Sequence, residues 1–95
     1  MIAIFDNLEY NTEEMGLLFR ANVRIFKNVR SSDWLRYKDY PCEVYVSNRG
    51  RYCMVYYKTQ DKPKMRKIGE SEVKFLMQKY DYDKYCLLFG KPEEA

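Results

Sequence analysis

The clearest pattern of hydrophobic and polar positions lies between residues 42 and 57, CEVYVSNRGRYCMVYY. Two runs of strand-forming residues flank residues 47–50, SNRG. Serine suits the first position of a type I turn, and glycine suits the left-handed position that closes a three-residue loop. The pattern therefore predicts a β-hairpin in which Ser47 faces Arg51.

This register sorts the side chains of the predicted hairpin onto two faces. One face is apolar throughout and carries Cys42, Val44, Val46, Tyr52, Met54 and Tyr56. The other face is mixed and carries Glu43, Tyr45, Arg51, Cys53, Val55 and Tyr57. A shift of one residue would mix polar and apolar groups on both faces, so the turn chemistry and the pattern support the same register. The apolar face is predicted to be core.

The first part of the chain fits two patterns. Residues 11–14, NTEE, have the form of a helix cap. Residues 17–25, however, alternate apolar and polar positions with a period of two, and Gly16 would weaken a helix interior. We therefore favour a strand over a helix. Residues 2–10 are then expected to form its partner strand, with the intervening NTEEMG as the connecting loop.

Three further segments complete the secondary structure. Residues 32–37 begin with a capping serine and an acidic first turn, which indicates a short helical turn before Pro41. Residues 60–67, QDKPKMRK, have the composition of a basic loop. A helix is predicted from Ser71 onward, because one apolar stripe with helical spacing is formed by Val73, Leu76, Met77 and Tyr80.

A last short helical turn is predicted between Asp83, as its cap, and Gly90. These elements predict an α+β fold, in which a small antiparallel sheet of two hairpins has a C-terminal helix packed on one face. A chain of 95 residues is too short to divide its core in two, so residues 1–95 are expected to form a single domain.

The composition excludes several kinds of chemistry. The chain has no histidine, which removes Ser–His and Cys–His triads and mixed Cys/His zinc sites. Its four glycines are scattered, so no glycine-rich phosphate loop is present. The three cysteines, Cys42, Cys53 and Cys86, include no CxxC pair. The sequence therefore predicts a protein that is not an enzyme, with no catalytic residue, no cofactor and no metal.

The distribution of charge and hydrophobicity also bears on location. The N-terminal residues have neither a basic leader nor a signal-peptide cleavage site. Charges interrupt every apolar run before it reaches the ~20 residues that cross a bilayer. An odd number of cysteines is tolerated in a reducing compartment. We expect a cytoplasmic protein with no membrane association.

Ten tyrosines are the most unusual feature of the composition, and tyrosine suits contact surfaces because it joins an apolar ring to a hydroxyl group. The sheet face away from the helix is expected to bind another protein through Tyr45, Arg49, Arg51, Tyr57, Arg20 and Arg24. Accessory, adaptor and inhibitor proteins, including short ones encoded by phages and mobile elements, fit this description. In the alternative reading, Tyr45 and Tyr57 pack beneath the segment around Trp34.

A second hypothesis is a nucleic-acid-binding module, because arginines and aromatic residues on a sheet can neutralise phosphates and stack bases. Its contacts would be the sheet aromatics and the basic cluster formed by Lys58, Lys62, Lys64, Arg66 and Lys67. The hairpin-tip arginines and this cluster are separated by about 25–30 Å, at ~3.3 Å per residue. Each group alone therefore offers few positive charges, which predicts weak and salt-sensitive binding. An unpaired sheet edge would also allow two copies to form a homodimer.

Overall fold

The computed structural model describes residues 1–28, 35–59 and 61–94, except the side chains of residues 25–28 and 35–38. The described residues form six strands and two helices. In chain order these are β1 (Ile2–Phe5), β2 (Leu8–Asn11), β3 (Gly16–Asn28), β4 (Leu35–Val46), β5 (Tyr52–Tyr57), β6 (Pro63–Ile68), α1 (Glu70–Tyr80) and α2 (Tyr82–Phe89).

The strands form two antiparallel sheets. β1 and β2 pair only with each other, and the larger sheet has the order β3-β4-β5-β6. Each strand of the larger sheet pairs with its neighbour in sequence, so the sheet is a meander followed by the two helices. The fold is α+β, as the sequence predicts.

The hairpin of β4 and β5 has the predicted register. Val46 pairs with Tyr52, and the amide of Ser47 donates to the carbonyl of Arg51 over 2.8 Å. The amide of Arg51 in turn donates to the Ser47 hydroxyl over 3.1 Å. Gly50 has a φ of 75°, a value that glycine adopts without strain. The prediction for residues 42–57 is therefore confirmed.

The predicted pairing of residues 2–10 with residues 17–25 is wrong. The chain turns at Asp6 and Asn7, whose φ angles of 53° and 63° are both left-handed. Two left-handed residues make a tight hairpin turn, and Asp and Asn tolerate that conformation better than most residues. β1 therefore pairs with β2, and the strand that follows, β3, pairs with β4 instead.

The pairing of β3 with β4 extends beyond the rest of the sheet. The ladder between β4 and β5 begins at Cys42, whereas β4 itself begins at Leu35. The seven residues before Cys42 therefore belong to a two-stranded arm about 23 Å long, at ~3.3 Å per residue. Pro41 lies where β5 no longer pairs with β4, so its missing N–H breaks no bond to β5.

Two sequence predictions for this part of the chain need correction. Residues 35–37 were expected in a helical turn but belong to β4, because they pair with residues 26–28 of β3. Residues 32–34 of the same prediction, including Trp34, lie outside the described residues. The basic segment 60–67 was expected to be a loop, yet β6 begins at Pro63 and forms an edge strand.

The predicted helix is confirmed as α1, which packs on one face of the larger sheet, here called the helix face. Its side chains Val73 and Met77 are fully buried, and Leu76 and Tyr80 pack around them. The buried core also contains Phe19, Val23, Tyr40, Cys42, Val44, Met54 and Ile68. Alternation along β3, β4 and β5 brings these sheet residues to the same side as α1.

The second helix differs from its prediction at the first residue. The Asp81 carboxylate, rather than Asp83, accepts the capping hydrogen bond from the amide of Lys84. The helix ends at Gly90, as expected, with a φ of 84°. No residue of α2 is buried, so this helix contributes less to the core than α1.

The opposite side of the sheet, here called the second face, is only partly covered. The β1–β2 hairpin lies over one half, where Cys53, Val55 and Tyr10 are buried. It is held there by an ion pair between Asp6 and Lys67 and by contact of Met15 with Cys53. The remainder, here called the open half, consists of Arg20, Asn22, Arg24, Asp39, Pro41, Glu43 and Tyr57.

Candidate functional site

The open half is built from cross-strand pairs between β3 and β4. Arg20 lies opposite Glu43, and Arg24 lies opposite Asp39. Side chains directly opposite each other in an antiparallel pair have their Cβ atoms about 5 Å apart, which is within reach of an ion pair. Each arginine on this part of β3 therefore has a carboxylate from β4 beside it.

Glu43 is the centre of this surface. The Arg20 Nε donates to its Oε2 over 2.8 Å, and the Tyr57 hydroxyl donates to its Oε1 over 2.7 Å. The Glu43 side chain is only 15% exposed, whereas that of Arg20 is 70% exposed. The three side chains form a network in which an enclosed carboxylate fixes an aromatic ring on one side and an exposed cation on the other.

The interactions within the network lower the pKa of Glu43 and raise the pKa of Tyr57, so both values shift away from pH 7. Burial acts to raise the pKa of Glu43, but the hydrogen bonds from Tyr57 and Arg20 hold it below its usual value. The hydrogen bond to Glu43 raises the pKa of Tyr57 to about 12. Catalytic acids and bases need pKa values near the working pH, and these groups move in the opposite direction. The pKa values of Glu43 and Tyr57 therefore do not match those of a catalytic acid or base that works near neutral pH.

Arg24 belongs to the part of the open half that lies on the two-stranded arm. Its Nε lies 3.3 Å from the Asp39 Oδ1, and both side chains are more than half exposed. Its backbone amide donates to the Tyr80 hydroxyl over 3.2 Å. Since Tyr80 is the last residue of α1, this bond ties the edge of β3 to the helix on the other side of the sheet.

A shallow hollow of about 420 Å³ lies on the open half. The residues that line it include Tyr57 and two cross-strand pairs, Asn22 with Pro41 and Arg20 with Glu43. The hollow combines a proline, an aromatic ring and a paired arginine. Tyrosine and arginine are enriched at contact sites between proteins.

The structure separates the residues predicted to bind a partner into two groups. Arg20, Arg24 and Tyr57 lie together on the open half, and Tyr45, which is half-buried like Tyr57, lies beside them and interacts with the same Glu43 carboxylate. Burial and the neighbouring Glu43 carboxylate raise the pKa of Tyr45.

The second group, Arg49 and Arg51, is exposed at the tip of the β4–β5 hairpin. Arg51 lies about 13 Å along the strand from Glu43, at ~3.3 Å per residue. The two tip arginines line a separate cavity of about 280 Å³, together with Tyr10, Met15 and other residues near β2. Partner contacts at the tip and on the open half would therefore be two different sites.

The basic cluster of the nucleic-acid hypothesis is also divided. Lys58 and Lys62 are exposed in the loop between β5 and β6. On β6, alternation places Lys64 and Arg66 on the helix face and Lys67 on the second face. Arg66 lies 3.5 Å from Glu72, and Lys67 forms an ion pair with Asp6. Carboxylates therefore reduce the net charge of this cluster on both faces.

Sequence reasoning did not identify the two carboxylates of the open half, Glu43 and Asp39. They became visible only once β3 was paired with β4, because Glu43 and Arg20 are 23 positions apart in the chain. The signal that could have found them is the alternation of residues 17–25, matched against residues 37–46 instead of residues 2–10.

The buried thiols are not candidates for a reactive site. Burial raises the pKa of Cys42 and of Cys53 to about 11, so both remain protonated near neutral pH. Among the described residues, no group of three or more Cys, Asp or Glu side chains is arranged to hold a metal ion.

The chain matches no protein-family model, and it matches neither a curated protein nor a solved structure. In the parts of the chain that the structure describes, neither helix has the length and apolar character needed to cross a membrane. The open half is therefore interpreted from its own geometry.

Proposed function

We propose that this protein is a non-catalytic binding protein that recognises another protein through the open half of the second face. The observation that carries the proposal is the network of Tyr57, Glu43 and Arg20, which lies on a sheet surface that neither the helices nor the β1–β2 hairpin covers. An accessory, adaptor or inhibitor role in the cytoplasm is part of the same proposal.

The network supports binding because its side chains are already ordered. Fixing a flexible side chain at an interface costs roughly 0.5–1.5 kcal/mol, and the bonds to Glu43 reduce that cost for Tyr57 and Arg20. Tyr and Arg are also the residue types enriched among those that contribute most to binding energy. A partner with a carboxylate or backbone carbonyl groups could accept the remaining N–H donors of Arg20.

The balance of charge favours a protein over a nucleic acid at this surface. Arg20 is paired with Glu43 and Arg24 with Asp39, so the open half has as many carboxylates as guanidinium groups. A phosphate backbone is held mainly by unbalanced positive charge, and each carboxylate here would repel it. The nucleic-acid hypothesis therefore remains the alternative, with the basic cluster and the sheet aromatics as its contacts.

The test is affinity capture from a cell extract followed by mass spectrometry, with variants that separate the open half from the hairpin tip. Two variants alter the open half. Arg20→Glu reverses the charge of a network residue, whereas Asn22→Trp blocks the surface with a large side chain and removes no contact of the network. Arg51→Glu is the matched control, since it reverses an exposed arginine at the tip. We expect the first two variants to lose a partner that Arg51→Glu retains.

If Arg20→Glu and Asn22→Trp retain every partner, while circular dichroism shows that both are folded, the open half is not the binding surface. The alternative is tested by titrating the protein against labelled single- and double-stranded nucleic acid at two salt concentrations. We expect no salt-dependent micromolar binding. Binding that is lost in a Lys62→Glu/Lys64→Glu variant would assign the protein to the nucleic-acid class instead.

A further inference from the structure

A groove of about 530 Å³ runs beside α1 on the helix face, and Arg24 lines this groove as well as belonging to the open half. Near the start of the helix, an Arg66 guanidinium nitrogen lies 3.5 Å from a Glu72 carboxylate oxygen. Near the end of the helix, the groove is lined by Val23 and Arg24. The backbone amide of Arg24 donates a hydrogen bond to the Tyr80 hydroxyl. From Glu72 to Tyr80 the helix rises about 12 Å, at ~1.5 Å per residue.

The groove has an apolar floor and an exposed aromatic residue at its edge. Val23 and Met54 belong to the buried core and reach the groove from the sheet, and Leu76 is half-buried in the helix wall. Phe75 lines the same groove, yet its side chain is 63% exposed. A protruding ring therefore lies next to a hollow that is lined by apolar side chains.

This patch contains a protruding ring beside an apolar groove and an arginine beside a carboxylate. In a twofold-symmetric dimer, the same surface patch of both copies forms the interface. Both residues of every contact must therefore belong to that one patch. Phe75 can enter the groove of the other copy, and Arg66 can face the other copy's Glu72. The existing Arg66–Glu72 pair is long, and both side chains are more than half exposed, so exchanging partners costs little.

The edges of the larger sheet offer less than this groove. β6 carries Pro63 and three basic residues, features that oppose pairing with another strand. On the β3 edge, the Lys84 ammonium bonds the Leu18 carbonyl and Tyr80 bonds the Arg24 amide. We propose that a second copy of this chain docks in the α1 groove, forming a twofold dimer with Phe75 as the central contact.

The first experiment measures the dimer by sedimentation velocity over a wide range of protein concentration. We expect Phe75→Asp to raise the dimer Kd at least about thirtyfold, as removal of a central interface residue does. Leu87→Asp is the matched control, because Leu87 is an apolar helical residue that is even more exposed, at 84%, and lies outside the groove. It should leave the Kd unchanged.

The second experiment separates pairing between copies from pairing within one copy. Arg66→Glu and Glu72→Arg should each weaken the dimer, because each places like charges together. One variant then has Glu at positions 66 and 72, and the other has Arg at both positions. In a twofold dimer of the two variants, each Glu faces an Arg of the other copy, although the charges within each chain are alike. We therefore expect the mixture to form dimers at protein concentrations at which each variant alone remains monomeric.

A wild-type chain that stays monomeric at every concentration would overturn the proposal. So would a dimer that Phe75→Asp leaves intact, or a mixture of charge variants that fails to associate. Phe75→Asp does not alter the open half, so capture of a partner through Tyr57 and Arg20 is expected to persist in this variant. The two proposals can therefore fail independently.

Discussion

The two faces of the larger sheet are made by the same strands but have different environments. On the helix face, α1 buries Val44, Val73 and Met77 completely, and partly buried aromatic residues surround this core. On the second face, a two-stranded hairpin covers Cys53 and Val55, while Arg20 and Tyr57 remain in contact with water. One face is therefore a continuous core, and the other is a small apolar patch beside a polar network.

The difference follows from what the chain supplies to each side. Only Gly69 separates β6 from α1, so the helix must pack close to the sheet from which it emerges. The β1–β2 hairpin is too small to cover a four-stranded sheet, and two-stranded hairpins are marginally stable by themselves. We infer that the helix face supplies most of the free energy of folding, which leaves the open half available for recognition.

The largest expected change in the free energy of unfolding comes from a substitution in the core on the helix face. Met77→Ala should lower the free energy of unfolding by about 3 kcal/mol, because it leaves a cavity in a fully buried position. Urea denaturation measures this change. Leu87→Ala, an exposed substitution on the other helix, should stay within about 0.5 kcal/mol of the wild type. Equal effects of the two substitutions would contradict the assignment of the core.

The next effect concerns the hairpin that covers the second face. Tyr10 is buried and its ring lies 5.4 Å from that of Phe5, so Tyr10→Ala should loosen the hairpin. The cost should be about 1–2 kcal/mol, within the usual range for a single substitution. Because the hairpin can open without unfolding the larger sheet, Cys53 should become reactive towards thiol reagents, while Cys42 under α1 stays protected. Peptide mapping distinguishes the two cysteines.

Simultaneous reaction of Cys42 and Cys53 in Tyr10→Ala would mean that both faces open as one unit. Phe5→Leu provides a milder comparison, since it keeps an apolar side chain against Tyr10. In that variant Cys53 should react more slowly than in Tyr10→Ala.

The smallest expected effect is the pH dependence of the open half. The folded-state pKa of Glu43 lies below its ordinary value of 4.5, so its charge stabilises the fold above that pH. This contribution is lost as the pH falls through the lower folded-state value. Glu43→Gln should therefore be less stable than the wild type at neutral pH, by less than about 1 kcal/mol because the network is partly exposed.

Urea denaturation at several pH values measures this difference, which should vanish in acid once Glu43 is protonated. Glu9→Gln, at an exposed position on β2, is the control and should show little difference at either pH. If the stability difference between Glu43→Gln and the wild type persists in strong acid, the charge of Glu43 is not what stabilises the fold.

The parts of the fold that were predicted correctly depend on neighbouring residues. The β4–β5 hairpin and its turn lie within sixteen consecutive residues, so alternation and turn chemistry define its register. The apolar stripe of α1 is equally local. The wrong predictions concern pairings over a longer distance, such as that of β3 with β4, and a strand, β6, whose basic residues resemble those of a loop.

The candidate site shows the same limit. Residue type and alternation selected Tyr57, Arg20 and Arg24, which lie on one surface with Tyr45 beside them, but the tip arginines lie elsewhere. Glu43 and Asp39 were missed, because an ion pair across strands depends on the register between segments that are far apart in sequence. Residue type identified the aromatic and cationic groups, whereas pairing identified the anions that balance them.

The sequence by itself determined the α+β class, the central hairpin, the amphipathic helix and the absence of histidine chemistry, since each depends on residue type or short-range spacing. Only the tertiary structure decided which half of the second face is covered, which carboxylate joins Tyr57 to Arg20, and where Phe75 lies beside a groove. These features depend on contacts between distant segments, whose free energies are small individually and are realised only when the whole chain packs.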